Sequence, residues 1–132
     1  MYSSAITVSA TETLEALATH SGDSNSAVGS AAYTIQVATP TFSPTAGTYS
    51  SAQTVTISDS TSGSTIYYTT NGTTPTTSST VYSSAITVST TETLEAIATA
   101  SGYAQSAVGS AAYTINGPAA TPTFNPTAGT YS

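Results

Sequence analysis

The chain has 132 residues with no Lys, Arg or Cys, and its six acidic residues give it a formal charge of −6. Without a fixed cation it cannot neutralise phosphate groups, which argues against binding to nucleic acids or to anionic membrane surfaces. Without cysteine it has neither a disulfide framework nor thiolate chemistry, and its apolar runs are far shorter than the roughly 20 residues that span a bilayer.

Two stretches of the chain are near-copies of each other. Residues 2–35 recur at residues 82–115 with 28 of 34 positions identical, and residues 38–50 recur at 120–132 with a single change, Asn125 in place of Ser43. A period of about 80 residues is too long for a solenoid repeat and fits a small globular module. We therefore expect residues 1–35 to be the C-terminal half of one module, 38–115 a complete module, and 120–132 the first strand of a following module.

Within the complete module the local patterns predict strands. The predicted strands are residues 38–50, 53–58, 64–70, 83–89, 92–100 and 106–115. Most of them alternate apolar and hydroxyl side chains, and Asn-Gly and Pro punctuate the turn after residue 70. Short strands at such regular spacing predict an all-β fold of tandem immunoglobulin-like antiparallel β-sandwich modules.

The stretch at residues 92–100, ETLEAIATA, could be read as a helix because Leu, Glu and Ala favour helices. Frequent Thr and Ile, and the lack of a helix-capping box, favour a strand instead. A strand would place Leu94, Ala96 and Ala98 on one face. It would place Glu95, Ile97 and Thr99 on the other.

Three motifs of the complete module are together distinctive: ATPTFSPTAGTYS at residues 38–50, IYYTTNGTTPT at 66–76 and TTETLEAIA at 90–98. They resemble the chitobiase/β-hexosaminidase C-terminal-like repeat. The resemblance implies an immunoglobulin-like or fibronectin-III-like module of secreted bacterial proteins, often beside glycoside hydrolases or in long surface proteins. It implies an extracellular or cell-surface location and an accessory role without catalysis. The family often has Asp where this chain has Asn71.

Catalytic residues are not predicted. The only close carboxylate pair is Glu92 with Glu95, repeated as Glu12 with Glu15, and in a strand the two members point to opposite faces. The single histidine, His20, has neither a cysteine nor a second histidine to act with it. We predict no metal site and no cofactor.

Two polar segments are interpreted as turns. Asp23 and Asn25 lie in SGDSNS, which could suggest a calcium loop, but the repeat reads SGYAQS and lacks the carboxylate. The NGT sequence at residues 71–73 is both a formal glycosylation sequon and a turn.

Carbohydrate binding needs exposed flat aromatic rings, and the chain has no Trp. Tyr67 should face away from Tyr68, and Tyr103 falls in a loop. These positions make Tyr67 and Tyr103 the candidate carbohydrate contacts.

An isolated half module would leave apolar side chains in water. The candidate assembly surface consists of Ile6, Val8, Leu14, Val28, Ile35, Phe124 and Tyr131. Burying each such side chain is worth roughly 1.5–3 kcal/mol, which favours a covering partner. That partner could be an adjacent repeat in a longer array or another copy of the chain adding strands, although one tail restores only the first strand of a module.

The linkers QVATP and NGPAATP are short and contain proline, which favours a semi-rigid rod. We therefore predict a non-catalytic extracellular stalk or self-assembling fibre. The alternative is a carbohydrate-binding accessory module of a secreted glycoside hydrolase or adhesin, with polysaccharide as its partner.

Overall fold

The computed structural model describes residues 2–125 and 129–130. The strands are β1 (Glu12–Ala16), β2 (Gly29–Tyr33), β3 (Thr41–Ser43), β4 (Gly47–Tyr49), β5 (Gln53–Ser58), β6 (Thr65–Thr69), β7 (Thr80–Val81), β8 (Ile86–Val88), β9 (Glu92–Thr99) and β10 (Gly109–Ile115). The described residues contain no helix, which confirms the predicted all-β class. Within these ranges, then, nothing helical could cross a membrane.

Strands β3 to β10 form two sheets, as expected for a β-sandwich. One has five strands in the order β4-β10-β9-β6-β7, and the other has three in the order β3-β5-β8. The buried core cluster between them is Val55, Val88, Leu94, Ala111 and Tyr113, with Phe42, Tyr49, Ile86 and Ile115 packed against it. The alternating patterns of β5, β8 and β10 supply six of these side chains, Val55, Ile86, Val88, Ala111, Tyr113 and Ile115, so the strands predicted there are confirmed.

Strand β9 is a strand and not a helix, and Ile97 lies on the face opposite Leu94, Ala96 and Ala98, as predicted. The strand is buried on both faces, since Ile97 is as fully buried as Leu94. β9 lies between β10 and β6, where Ile97 is paired with the half-buried Tyr67 on the same face of the sheet. A central strand buried on both faces loses the alternation that an exposed face would impose.

The phrase at residues 38–50 forms two strands where one was predicted. β3 pairs antiparallel with β5 in the small sheet, whereas β4 pairs with β10 in the large sheet and runs parallel to it. Pro44 follows β3 directly and has no N–H to continue a ladder, so the chain crosses from one sheet to the other there. The sandwich is therefore not wholly antiparallel.

Residues 2–35 contain only the antiparallel pair β1 and β2. Its register, with Leu14 opposite Ala31, is the register of β9 and β10, with Leu94 opposite Ala111. Near-identical sequence thus gives the same strand pairing twice. Described residues 116–125 carry no assigned strand.

Candidate binding surfaces and the joint between repeats

The two tyrosines proposed as carbohydrate contacts lie in different elements. Tyr67 is half-buried in β6, between its partners Val81 in β7 and Ile97 in β9. Tyr103 is half-buried in the turn after β9, where its N–H donates to Ala100 O at 3.2 Å. Neither ring is a fully exposed platform, and carbohydrate contact at these two residues stays a prediction.

A polar groove that the sequence did not single out lies beside Tyr68. Its lining is Tyr68, Thr69, Thr70, Asn71, Thr73, Ser78, Ser79 and Thr80. Asn71 Oδ1 accepts hydrogen bonds from Thr73 N at 3.2 Å and Thr73 Oγ1 at 2.6 Å, and Gly72 has a φ of +70°. The predicted Asn-Gly turn is confirmed. The hydrogen bonds between Asn71 and Thr73 stabilise the loop, and its neutral hydroxyl groups face solvent.

The carboxylates are not arranged for joint work on one bond. Glu92 and Glu95 are both half-buried on β9, and their odd spacing places them on opposite faces of the strand. Glu12 and Glu15 are exposed.

His20 and Asp23 form an exposed contact, with 2.8 Å between Nδ1 and Oδ2. The turn predicted there is present, since Asp23 N donates to His20 O at 3.2 Å. Among residues 2–125 and 129–130, no three His, Cys, Asp or Glu side chains cluster as metal ligands would.

The segment at residues 38–50 is held along the inner side of β10. Tyr113 is 1% exposed and its Oη donates to Pro44 O at 2.7 Å. Burial, and secondarily the nearby Tyr49, raise the pKa of Tyr113 above its ordinary value of 10.0. The neutral phenol is therefore the form that the folded module stabilises.

At Gly109, β10 and the segment at residues 38–50 approach each other closely. A Cβ on this glycine would lie 2.4 Å from Pro40 O and 3.3 Å from Phe42 Cε2. Only a residue without a side chain admits the segment at this distance.

Within the part of the chain that the structure describes, no segment covers the corresponding face of residues 2–35 in this way. Tyr33, the counterpart of Tyr113, is 44% exposed, and Gly29, the counterpart of Gly109, would place a Cβ no nearer than 3.8 Å to Ala16 O. A groove on this face is lined by Tyr2, Ile6, Leu14, Glu15, Ala16, Gly29, Ser30 and Ala31. We call this set the open groove.

The predicted assembly residues are brought together only in part. Ile6 and Leu14 line the open groove, whereas Val8, Val28 and Ile35 are not part of its lining. Ile6 and Val28 are exposed, and Val8, Leu14 and Ile35 are half-buried. Phe124 is 80% exposed, and Tyr131 lies outside the described residues. Tyr2 and Ala31 also line the open groove, and sequence reasoning did not single them out.

A family model described as "Chitobiase/beta-hexosaminidase C-terminal domain" matches residues 44–110, half of the chain. The chain belongs to this family. The resemblance inferred from the sequence motifs is thereby confirmed, and the matched range lies within residues 38–115.

An endoglucanase of Clostridium saccharobutylicum is 56% identical to this chain over 52 residues. That stretch covers 39% of this chain but only 12% of the endoglucanase. No solved structure matches the chain. The similarity therefore concerns a domain-sized piece of a much longer protein.

In this member of the chitobiase C-terminal domain family, the linker before the complete module is fixed in place. Ala104 N donates to Ile35 O at 2.9 Å, and Val37 N donates to Ala104 O at 3.0 Å. Gln36 Nε2 donates to Gln105 O at 2.9 Å, and Val37 is buried. Together these contacts form a joint between residues 2–35 and the module.

Three further hydrogen bonds extend the joint. Thr11 N donates to Gly102 O at 2.8 Å. On the other side of the linker, Ala38 N donates to Thr61 Oγ1 at 2.9 Å, and Thr61 N in turn donates to Asp59 Oδ1 at 2.7 Å. The linker is thus bound to the module by main-chain and side-chain hydrogen bonds on both sides.

Proposed function

We propose that the chain is a non-catalytic accessory segment of a secreted glycoside hydrolase, located outside the cell, in which the family domain holds its neighbours at a set spacing. The observation that carries the proposal is the 56% identity to an endoglucanase over a stretch confined to 12% of that enzyme. A piece of that size beside a catalytic region is typical of an appended domain.

The joint supports the spacing role. A free linker would let successive domains swing, whereas Gln36 and Val37 are hydrogen-bonded to the turn at Ala104 and Gln105. Because Val37 is buried as well, rotation about this linker would break hydrogen bonds and expose apolar surface.

The carboxylates support a role without catalysis. Glycoside hydrolysis requires two carboxyl groups flanking one bond, and Glu92 and Glu95 face away from each other across the sheet. A self-assembling fibre, the other role predicted from the sequence, finds no support among the relatives, so the spacer role takes precedence.

Carbohydrate binding is a second candidate, because the polar groove beside Tyr68 presents neutral hydroxyls and an amide next to an aromatic ring. Pull-down of the chain on cellulose and on chitin tests it. Binding lost in Tyr68→Ala but kept in Tyr67→Ala would locate the ligand in the polar groove. The reverse result would favour the position predicted from the sequence.

The spacer role is tested by distance measurements across the joint. The chain has no Cys, so the paired substitutions Thr13→Cys and Thr54→Cys, both at exposed positions, allow two spin labels to be attached. We expect a narrow distance distribution by pulsed electron paramagnetic resonance, and a broad one when Gln36 and Val37 are both replaced by Gly.

Ala119→Gly, in the exposed segment after the module, is the matched control and should leave the distribution narrow. A native distribution as broad as that of the double glycine variant would contradict the spacer role. Hydrolysis of cellulose or chitin by the purified chain, abolished by Glu92→Gln, would contradict the non-catalytic role.

A further inference from the structure

We propose that the joint is selective, so that Ala10 and the turn at residues 100–105 determine which modules are accepted as neighbours. The joint has two sides, with Ala10, Thr11 and the linker at residues 35–37 on one and the turn at residues 100–105 on the other. The inference rests on the spacer role, since only a fixed joint can select its neighbours.

The two copies of the repeat differ mainly at this joint. The six differing pairs between residues 2–35 and 82–115 are Ala10/Thr90, Leu17/Ile97, His20/Ala100, Asp23/Tyr103, Ser24/Ala104 and Asn25/Gln105. Four of them lie in the turn at residues 100–105, which binds the linker, and a fifth is Ala10, which lies beside that turn. Five of the six differences thus fall on residues of the joint or on their counterparts.

Ala10 lies close to Gly102 on the other side of the joint. Thr11 N donates to Gly102 O at 2.8 Å, and a Cβ on Gly102 would lie 3.3 Å from Ala10 Cβ. Ala10 is half-buried here, whereas its counterpart Thr90 is exposed. Threonine is branched at Cβ and stiff at χ1, so at position 10 it has little freedom to keep both branches clear of Gly102. The joint therefore fits Ala10 and disfavours the residue of the second copy.

The turn at residues 100–105 is less polar than its counterpart in the first copy. Tyr103 is half-buried, whereas its counterpart Asp23 is exposed and contacts His20, with 2.8 Å between Nδ1 and Oδ2. The counterpart of His20 is Ala100, and the chain has no Lys or Arg. A carboxylate at position 103 would be half-buried without that partner, which is unfavourable. The turn of the first copy is therefore suited to solvent and that of the second to a neighbour.

The linkers after the two copies differ in the same sense. The side chain of Gln36 is hydrogen-bonded to the turn and Val37 is buried. The second copy has Asn116 and Gly117 at these positions. Glycine has no side chain to bury and gives the main chain more freedom, so this linker lacks the apolar contact that Val37 makes.

These differences define the partner that the turn fits. It is a module of this family with a small residue at the position of Ala10 and an apolar residue at the position of Val37. A module with Thr90 and Gly117 at those positions lacks both contacts. The order of modules along a chain is then set by the residues at each joint.

Exchanging the residue at position 10 tests the selectivity. With spin labels at Thr13→Cys and Thr54→Cys, Ala10→Thr should give a clearly broader distance distribution than the native chain. Thr90→Ala, the reverse exchange at an exposed site, should leave the distribution narrow. Equally narrow distributions in the native chain and in Ala10→Thr would overturn the selectivity and leave the spacer role intact. A broad distribution in the native chain would contradict both.

Amide hydrogen exchange shows whether the joint alone has opened. In Ala10→Thr and in Tyr103→Asp, the amides of Val37 and Ala104, which are bonded across the joint, should exchange about tenfold or more faster than in the native chain. The amide of Ser106, bonded to β9 within the module, should be unchanged. Tyr103→Phe is the matched control and should behave as the native chain does. Unchanged exchange at Val37 and Ala104, or faster exchange at Ser106 as well, would overturn the inference.

Discussion

Replacing Gly109 by alanine should destabilise the complete module, because the added Cβ atom would collide with a neighbouring segment. The new Cβ would lie 2.4 Å from Pro40 O, about 1 Å closer than an ordinary contact, and 3.3 Å from Phe42 Cε2. The nearer atom belongs to the main chain of a buried proline, so it cannot swing away as the end of a side chain would.

Overpacking of this kind costs about 1–3 kcal/mol, and replacing a strand glycine by alanine returns about 0.5–1 kcal/mol. We expect a net loss of about 1–2 kcal/mol in the free energy of unfolding. For a domain of this size that corresponds to a fall in Tm of about 4–16 °C.

Thermal unfolding followed by circular dichroism measures the effect. Gly29→Ala is the matched control, because its flanking sequence is the same but its Cβ would be no nearer than 3.8 Å to Ala16 O. A Gly109→Ala variant as stable as the native chain, or equal losses in both variants, would refute the close approach between β10 and residues 38–50.

Further predictions compare the two copies of the repeat. Leu94→Ala should cost about 2–5 kcal/mol in chemical denaturation and Leu14→Ala clearly less, because Leu94 is fully buried and Leu14 only half-buried; equal losses would count against the difference in burial. Ser106→Ala should lower the free energy of unfolding by about 1–3 kcal/mol, since its buried Oγ accepts a hydrogen bond from a β9 amide at 2.8 Å. Ser26→Ala loses the corresponding bond at an exposed site and should lower it by less in the same assay. Because burial raises the pKa of Tyr113, the stabilisation from its neutral phenol is complete below about pH 10 and is lost as pH rises through the raised pKa. Tyr113→Phe should therefore reduce the fall in Tm at alkaline pH. An unchanged fall in Tm would contradict this assignment.

The repeat made much of the fold predictable. Alternation predicted the strands at residues 53–58 and 106–115, and the structure buries Val55, Ile57 and Tyr113 on them. Period-two patterns are reliable where one face of a strand meets solvent. They do not indicate that Ile97 is buried, because β9 lies in the middle of its sheet and is covered on both faces.

The candidate sites were less predictable because they depend on contacts between residues that are far apart in the sequence. Nothing in the linker sequence indicates that Gln36 and Val37 bind the turn at Ala104 and Gln105, since those hydrogen bonds join atoms almost 70 residues apart in the sequence. The crossing of residues 38–50 between two sheets likewise depends on where both sheets lie. Comparing the two copies shows which faces are covered, and this comparison needs the structure.

The difference in burial between the two near-identical copies, residues 2–35 and 82–115, is tested most directly by amide hydrogen exchange, measured by NMR on the chain at low concentration. The amides of Leu94 and Ala111 should exchange about a hundredfold or more slowly than those of Leu14 and Ala31, although the two pairs share one register. Equal protection of the two copies would contradict the difference in cover.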